Sequence, residues 1–255
     1  MVVSQVEIKT KDEIAVMREA GRIVSEILDE LEKAVAPGVS TWELDQIAEG
    51  LIHKKGAKPA FKGYLGFPSS LCASINYEVV HGIPSKKRKL APGDLMKLDF
   101  GVVYRGYYGD AARTVPVGQV SAQARALVEA TRESLAKAIS AVISGNRIGD
   151  IGHAVQSLVE SRGFAVVRDF VGHGIGKKLH EQPQVPNFGD PGTGMRLRPG
   201  MVLAIEPMVN VGTHQVEILD DEWTAVTLDR KLSAHFEHTV VVTENGPEVL
   251  TRPAP

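Results

Sequence analysis

The sequence predicts an α+β protein built from two related halves, and three observations lead there. Two pairs of amphipathic helical segments are each followed by strand-like runs with turn signals. The glycines that punctuate the pairs keep a fixed offset: Gly38 to Gly145 and Gly56 to Gly163 are both 107 positions apart. No low-complexity stretch or linker divides the 255 residues. A constant offset is the mark of internal duplication. The chain is therefore read as a single domain, 1–255, with halves over about 10–118 and 121–250.

The first helix is expected to open at Thr10-Lys11-Asp12-Glu13, a capping box in which hydroxyl and carboxylate satisfy each other's end of the helix. Ile14, Met17, Ile23, Val24, Ile27, Leu28, Leu31 and Val35 form its apolar stripe, and Ala36-Pro37-Gly38 stops it. Ser40 to Glu43 repeats the cap for a second helix with Leu44, Ile47, Leu51 and Ile52 inward, stopping near Gly56. Leu95–Tyr104 and Tyr107–Val115 read as two strands joined at Tyr104-Arg105-Gly106. The second half repeats the pattern. Ser121 opens a helix carrying Leu127, Leu135, Ile139, Val142 and Ile143, which Ser144-Gly145-Asn146 ends. A shorter helix follows with Ile151, Val155, Leu158 and Val159, stopping near Gly163.

Composition narrows the class. Hydrophobic content of 43% and charged content of 24% are those of a globular protein. A net charge of -2 gives no global attraction to nucleic acid or anionic membranes. The single Cys72 cannot form an internal disulfide, which fits a reducing compartment. The start, Met-Val-Val-Ser-Gln-Val-Glu, lacks a secretory pattern, and apolar runs such as Met201–Ile205 are far too short to span a membrane. A cytoplasmic protein without membrane attachment is expected.

The chemistry sits in acidic residues within apolar strands. Folding the hairpin places Asp99 and Asp110 opposite each other to within one residue, about 5 Å apart on one face. Two carboxylates so close repel unless a cation or proton lies between them. Glu206 in Met201–Met208 and Glu237 in Phe236–Val242 stand among core-like neighbours. For any one of these acids a salt bridge or a solvent-facing position would suffice. Together they are harder to neutralise, because Lys97 and Arg113 are the nearest cationic residues. Two divalent cations carry the matching charge. Oxygen-rich ligation with at most one imidazole suits manganese, iron or cobalt rather than a structural zinc site. The imidazole candidate is His173 in Gly172-His173-Gly174, where flanking glycines are expected to turn the backbone and leave the ring accessible. His81 and His180 stand beside turn-forming residues as candidate hydrogen-bond donors or proton carriers. His53, His153, His214, His235 and His238 are read as structural.

Asp99, Asp110, His173, Glu206 and Glu237, in this order and spacing, resemble the two-metal ligand set of the methionine aminopeptidase family. The flanking strings His81-Gly82-Ile83-Pro84, Gly172-His173-Gly174-Ile175-Gly176, Ile205-Glu206-Pro207-Met208 and Phe236-Glu237-His238-Thr239 carry the same resemblance. It runs from the first helix to about Thr251 and is similar to the bacterial type I form. Type II members carry a helical insert between the last two acids, for which the 31 positions from Glu206 to Glu237 leave no room, and no zinc-binding extension precedes Thr10. Two departures occur: Tyr108-Gly109-Asp110-Ala111-Ala112 lacks the hydroxyl the family often places after the second Asp, and Glu181-Gln182-Pro183 replaces Glu-Glu-Pro.

The resemblance implies the pita-bread fold, with pseudo-twofold halves and a central antiparallel sheet covered by helices. It also implies two divalent ions per chain, drawn from cobalt, manganese, iron, zinc or nickel. Asp110 and Glu237 would bridge them, Asp99 would chelate one, and His173 and Glu206 would complete the other. Glu206 is the implied general base toward a metal-bridged water, with His81 and His180 as hydrogen-bond donors to the scissile amide and oxyanion. Phe61, Tyr64, Phe67, Cys72 and Trp223 match the family's methionine pocket, where aromatic and sulfur atoms suit a thioether; without the resemblance they read as core. The implied reaction removes the initiator methionine of nascent polypeptides whose second residue is small. The basic run Lys86, Lys87, Arg88 and Lys89 reads as a solvated loop or as a contact to ribosomal RNA. A monomer is expected, and Met1-Val2 implies partial self-processing. A proline-specific aminopeptidase shares fold and ligands but usually has a large extra N-terminal domain. A non-catalytic ribosome-binding adaptor would be expected to lose ligands.

Overall fold

The computed structural model describes residues 6–252, so Met1-Val2, where self-processing is expected, lies outside them. In the first half run α1 (Lys11–Ala34), α2 (Thr41–Lys54), β1 (Lys58–Pro59), β2 (Leu71–Ile75), β3 (Glu78–Val80), β4 (Leu95–Tyr104) and β5 (Tyr107–Pro116). There follow α3 (Ala122–Ser140), α4 (Ile148–Ser161), β6 (Ala165–Val166), β7 (Gly172–Gly174), β8 (Glu181–Val185), β9 (Val202–Ile205) and β10 (Met208–Asn210). The chain closes with β11 (Val216–Ile218), β12 (Ala225–Thr227), β13 (Ser233–His235), β14 (Glu237–Thr243) and β15 (Gly246–Val249).

Both expected capping boxes form. The Thr10 hydroxyl accepts from Glu13 N–H while the Glu13 carboxylate accepts from Thr10 N–H, and Ser40 and Glu43 do the same for α2. Ser121 caps α3 by accepting from Ala124 N–H. Two details differ from the sequence reading. Ile47 is 37% exposed because the buried seam of α2 runs through Leu44, Ala48 and Ile52, leaving Ile47 on its flank. The third helix ends at Ser140, so Ile143 lies beyond it and is 47% exposed.

The main sheet has the order β1-β4-β5-β14-β9-β7-β8, with β2 also on β4 and β15 also on β14, and its pairings are antiparallel. Side chains alternate across it. On one face Leu98, Phe100 and Ala111 pack under α1 and α2 with Leu28, Leu31, Leu44 and Ile52. Leu203, Ile205 and Val240 likewise pack under α3 and α4 with Leu127, Leu135, Ile151 and Val155. The opposite parity leaves Asp99, Asp110 and Glu237 on the face away from the helices. There a third apolar cluster gathers Phe61, Phe67, Cys72, Ile175 and Leu179 with Tyr64 and Trp223. Among the described residues no helix is long and apolar enough to cross a membrane.

Candidate active site

A cavity of about 200 Å³ opens on that face, and all twelve residues singled out from the sequence line it. Asp99, Asp110, Glu206 and Glu237 stand with His173 at one end, and Phe61, Tyr64, Phe67, Cys72 and Trp223 supply apolar surface. His81 and His180 complete the wall, together with Leu65 and Leu179, which the sequence reading passed over.

The hairpin of β4 and β5 brings the two aspartates together, with a different register from the one expected. Asp99 is directly opposite Ala112 and Asp110 opposite Gly101, an offset of two positions rather than one. The difference matters because an offset of one would put the carboxylates on opposite faces, whereas two makes them diagonal neighbours on the same face. The Thr239 hydroxyl of β14 locks Asp110 in place, accepting from its N–H at 3.1 Å and donating to its carbonyl at 2.8 Å. Ala111 and Ala112 add no hydroxyl to Asp110, as the sequence reading noted. Glu206 stands one residue beyond β9 rather than within a strand, since Pro207 cannot donate to the ladder and separates β9 from β10.

His173 sits in β7 rather than in a turn. Its glycine neighbours serve close approach instead: a Cβ on Gly172 would lie 2.4 Å from the Ala204 carbonyl oxygen, and one on Gly174 would lie 2.2 Å from that of Gln182. Strands β8 and β9 can therefore press against β7 from both sides, and His173 is only 8% exposed. His173 Nδ1 is 2.9 Å from the Gly174 carbonyl oxygen, which can only accept, so Nδ1 carries the proton. The lone pair is left on Nε2, 3.7 Å from Glu206 Oε1.

Charge in this cavity is uncompensated. Among the described residues no Lys or Arg pairs with any of the four acids, and buried Asp110 Oδ1 and Glu237 Oε1 have no hydrogen-bond partner. Lys97, named from the sequence as the nearest cation, instead donates to the carbonyls of Asn76 and Ser233 at 2.9 and 3.0 Å. Arg113 pairs with Asp29 and Glu32. Burial consequently raises Asp99 to about 7. Burial, then the charge of Asp99, raises Asp110 well above the carboxylate range; burial and the neighbouring acids do the same for Glu206 and Glu237. Burial also lowers His173 to about 3, helped by His180 nearby. Ligand atoms of Asp110, His173 and Glu237 lie within 4.8 Å of one another. Acceptor atoms gathered this closely fit a divalent cation, and Asp99 and Glu206 line the same cavity beside them.

His81 follows β3 at φ 60°, a left-handed conformation uncommon for a non-glycine residue, and packs edge-on against Phe170 at 5.5 Å. Burial lowers its pKa to about 4, so the ring is neutral. His180 stacks edge-on against His173 at 4.4 Å between centroids. His235, read from the sequence as structural, is 1% exposed with Nε2 3.7 Å from Glu206 Oε2. Its spacing of two from Glu237 in an apolar strand-like run was the available signal. In the basic loop, Arg88 is taken up by an ion pair with Glu78 and Lys86 lies over the Trp42 ring at 4.3 Å.

Known proteins show the same architecture. The model of metallopeptidase family M24 matches residues 15–244. A methionine aminopeptidase of Clostridium acetobutylicum is 55% identical over 96% of this chain and 98% of its own length. The crystal structure of a methionine aminopeptidase from Thermotoga maritima superposes with a TM-score of 0.96 at 49% identity, covering 97% of this chain and 100% of the other. A prolidase from Pyrococcus horikoshii shares the fold at TM-score 0.79 and 24% identity, but this chain covers only 64% of it. Fold and relatives agree on the pita-bread architecture, and the chain belongs to metallopeptidase family M24, within its methionine aminopeptidases.

Proposed function

We propose that the protein releases N-terminal methionine from polypeptides whose second residue is small, using two divalent ions held by Asp99, Asp110, His173, Glu206 and Glu237. The observation that carries this reading is the set of buried, uncompensated acceptors beside an apolar slot. Bound there, the metal ions supply Lewis acidity and a water of lowered pKa. Glu206 accepts the proton of the attacking water. His81 and His180 donate hydrogen bonds to the scissile amide and its developing oxyanion. Phe61, Tyr64, Phe67, Cys72 and Trp223 enclose the methionine side chain and exclude water from it. Oxygen-rich ligation is compatible with cobalt, manganese, iron, zinc or nickel.

The chain works as one domain of two related halves: α2 and α4 are both 14 residues long and each follows a glycine turn, Gly38 at φ 89° and Gly145 at φ 98°. It acts as a cytoplasmic monomer. Lys86, Lys87 and Lys89 are the cations available for ribosomal RNA, since Arg88 is committed to Glu78.

Methionine release from Met-Ala-Ser by chelator-stripped protein, before and after adding manganese or cobalt, tests the reading. Activity that disappears on stripping and returns with metal is expected. Cleavage of Ala-Pro in preference to Met-Ala-Ser would replace it with a proline-specific activity.

A further inference from the structure

We propose that Tyr64 is a positioning residue, whose hydroxyl donates to His180 Nδ1 and so fixes the tautomer in which Nε2 carries the proton. The proposal rests on the functional reading above and gives Tyr64 a second task beside lining the methionine slot. The Tyr64 hydroxyl lies 2.7 Å from His180 Nδ1. A neutral imidazole has one N–H and one lone pair, so the partner of one nitrogen decides what the other can do. A phenol is a better donor than acceptor, and among the described residues Tyr64 has no other hydrogen-bond acceptor. With the lone pair of Nδ1 occupied, the proton resides on Nε2, leaving that nitrogen a donor for the substrate carbonyl and for the negative charge that develops on it. The other tautomer would present a lone pair to the same oxygen and repel it.

The loop that carries Tyr64 is shaped for this contact. Gly63, Leu65 and Gly66 all have left-handed φ, at 85°, 48° and 93°. A leucine held there is strained, and strain of this kind persists only where surroundings enforce it. Leu65 gains no burial in return, being 81% exposed, so the conformation is not maintained by its own packing. What the loop does achieve is a phenol hydroxyl directed at His180. The imidazole is held from its other flank: Glu181, the next residue, binds buried Lys9 Nζ at 2.5 Å and accepts from Lys178 N–H at 3.1 Å. Ring and phenol therefore meet between two anchored segments.

Tyr64→Phe removes the hydroxyl and keeps the ring. With Met-Ala-Ser and restored metal, kcat is expected to fall about tenfold, the size of one lost orienting hydrogen bond, while KM changes by less than about twofold. A residue that only lines the slot would give a wild-type kcat in Tyr64→Phe and a raised KM in Tyr64→Leu. Histidine 15N NMR on stripped and zinc-loaded protein reads the tautomer independently of activity. A lone-pair signal at His180 Nδ1 is expected in the parent protein, with mixed tautomers in Tyr64→Phe. A protonated Nδ1 in the parent protein, or an unchanged kcat in the variant, overturns the proposal. Failure of the parent protein to release methionine would instead overturn the functional reading, leaving the NMR result to stand alone.

Discussion

His235 Nε2 lies 3.7 Å from Glu206 Oε2, and neither ring nitrogen of His235 has a hydrogen-bond partner among the described residues. Burial lowers the pKa of this ring to about 3, so at neutral pH it is an uncharged imidazole with one N–H to offer. Glu206 is the only acid placed to receive it among the ion pairs of the described residues. At 3.7 Å the two stand just beyond hydrogen-bond distance, and a pair of variants tests whether they close on each other during turnover. His235→Leu is expected to lower kcat/KM for Met-Ala-Ser about tenfold, while His235→Gln, which keeps an N–H, stays near the parent value. Equal activity of the leucine variant and the parent would leave the contact without a role.

Glu206→Gln keeps the shape of the side chain and removes its ability to take a proton. Methionine release is expected to fall at least about 100-fold, the ordinary contribution of a positioned general base. The folded protein remains, since no structural ion pair depends on Glu206. A steady-state rate within a factor of a few of the parent would assign the base elsewhere.

Metal binding at pH 7 is expected to release protons. Asp99 is raised to about 7 and Asp110, Glu206 and Glu237 lie well above their ordinary range, so stripped protein holds protons there that a divalent ion must displace. The stability of stripped protein follows with a definite sign. These carboxyls bind protons more tightly folded than unfolded, so stability falls as pH rises from near 4 toward each folded value. The lowered histidines act oppositely, but only below their unfolded value of about 6.5. Buried Lys97, lowered to about 7, opposes them as a single group near that value, so between pH 6.5 and about 7 the four carboxyls outweigh it, and stripped protein loses stability there while loaded protein does not. Calorimetric titration in two buffers of different ionisation enthalpy measures the released protons. Identical heats in both would contradict the raised carboxyls.

Lys9 and Glu181 form a buried pair, with side chains 2% and 10% exposed. Removing one partner strands the other charge, so Lys9→Met is expected to cost roughly 3 kcal/mol in urea unfolding. The double variant Lys9→Met with Glu181→Gln recovers much of that loss. Additive losses in the double variant would show that the two side chains do not depend on each other.

Gly174→Ala tests the closeness of β7 and β8. The added methyl would lie 2.2 Å from the Gln182 carbonyl oxygen, so the strands must part and carry His173 with them. A loss of about 1–3 kcal/mol is expected, together with weaker metal binding. Unchanged metal affinity would mean that His173 does not depend on this packing.

How much of this was legible in the sequence varied with the range of the interaction. Thr10 with Glu13 and Ser40 with Glu43 satisfy helix ends within four residues, so their order in the chain already contains the contact. Asp99, Asp110, Glu206 and Glu237 could be named because charged groups in apolar strands are costly without a cation. Alternation along each strand set Asp99, Asp110 and Glu237 on the face opposite the helix-packing residues.

Register, packing and partners needed the folded chain. The two-position offset between Asp99 and Asp110 depends on where the turn falls between Tyr104 and Tyr107. The glycines beside His173 read as a turn locally, and only β8 and β9 on either side reveal them as sites of close approach. Lys97 and Arg88 looked like free cations until distant carbonyls and Glu78 claimed them. His235 gained its meaning only when Glu206, 29 positions away, came to lie beside it. The sequence by itself determined which groups must be neutralised and which helices must form, because those follow from local hydrogen bonding and the cost of buried charge. Tertiary structure alone decided which atom faces which, because contacts between segments far apart in the chain are fixed by how the sheet closes.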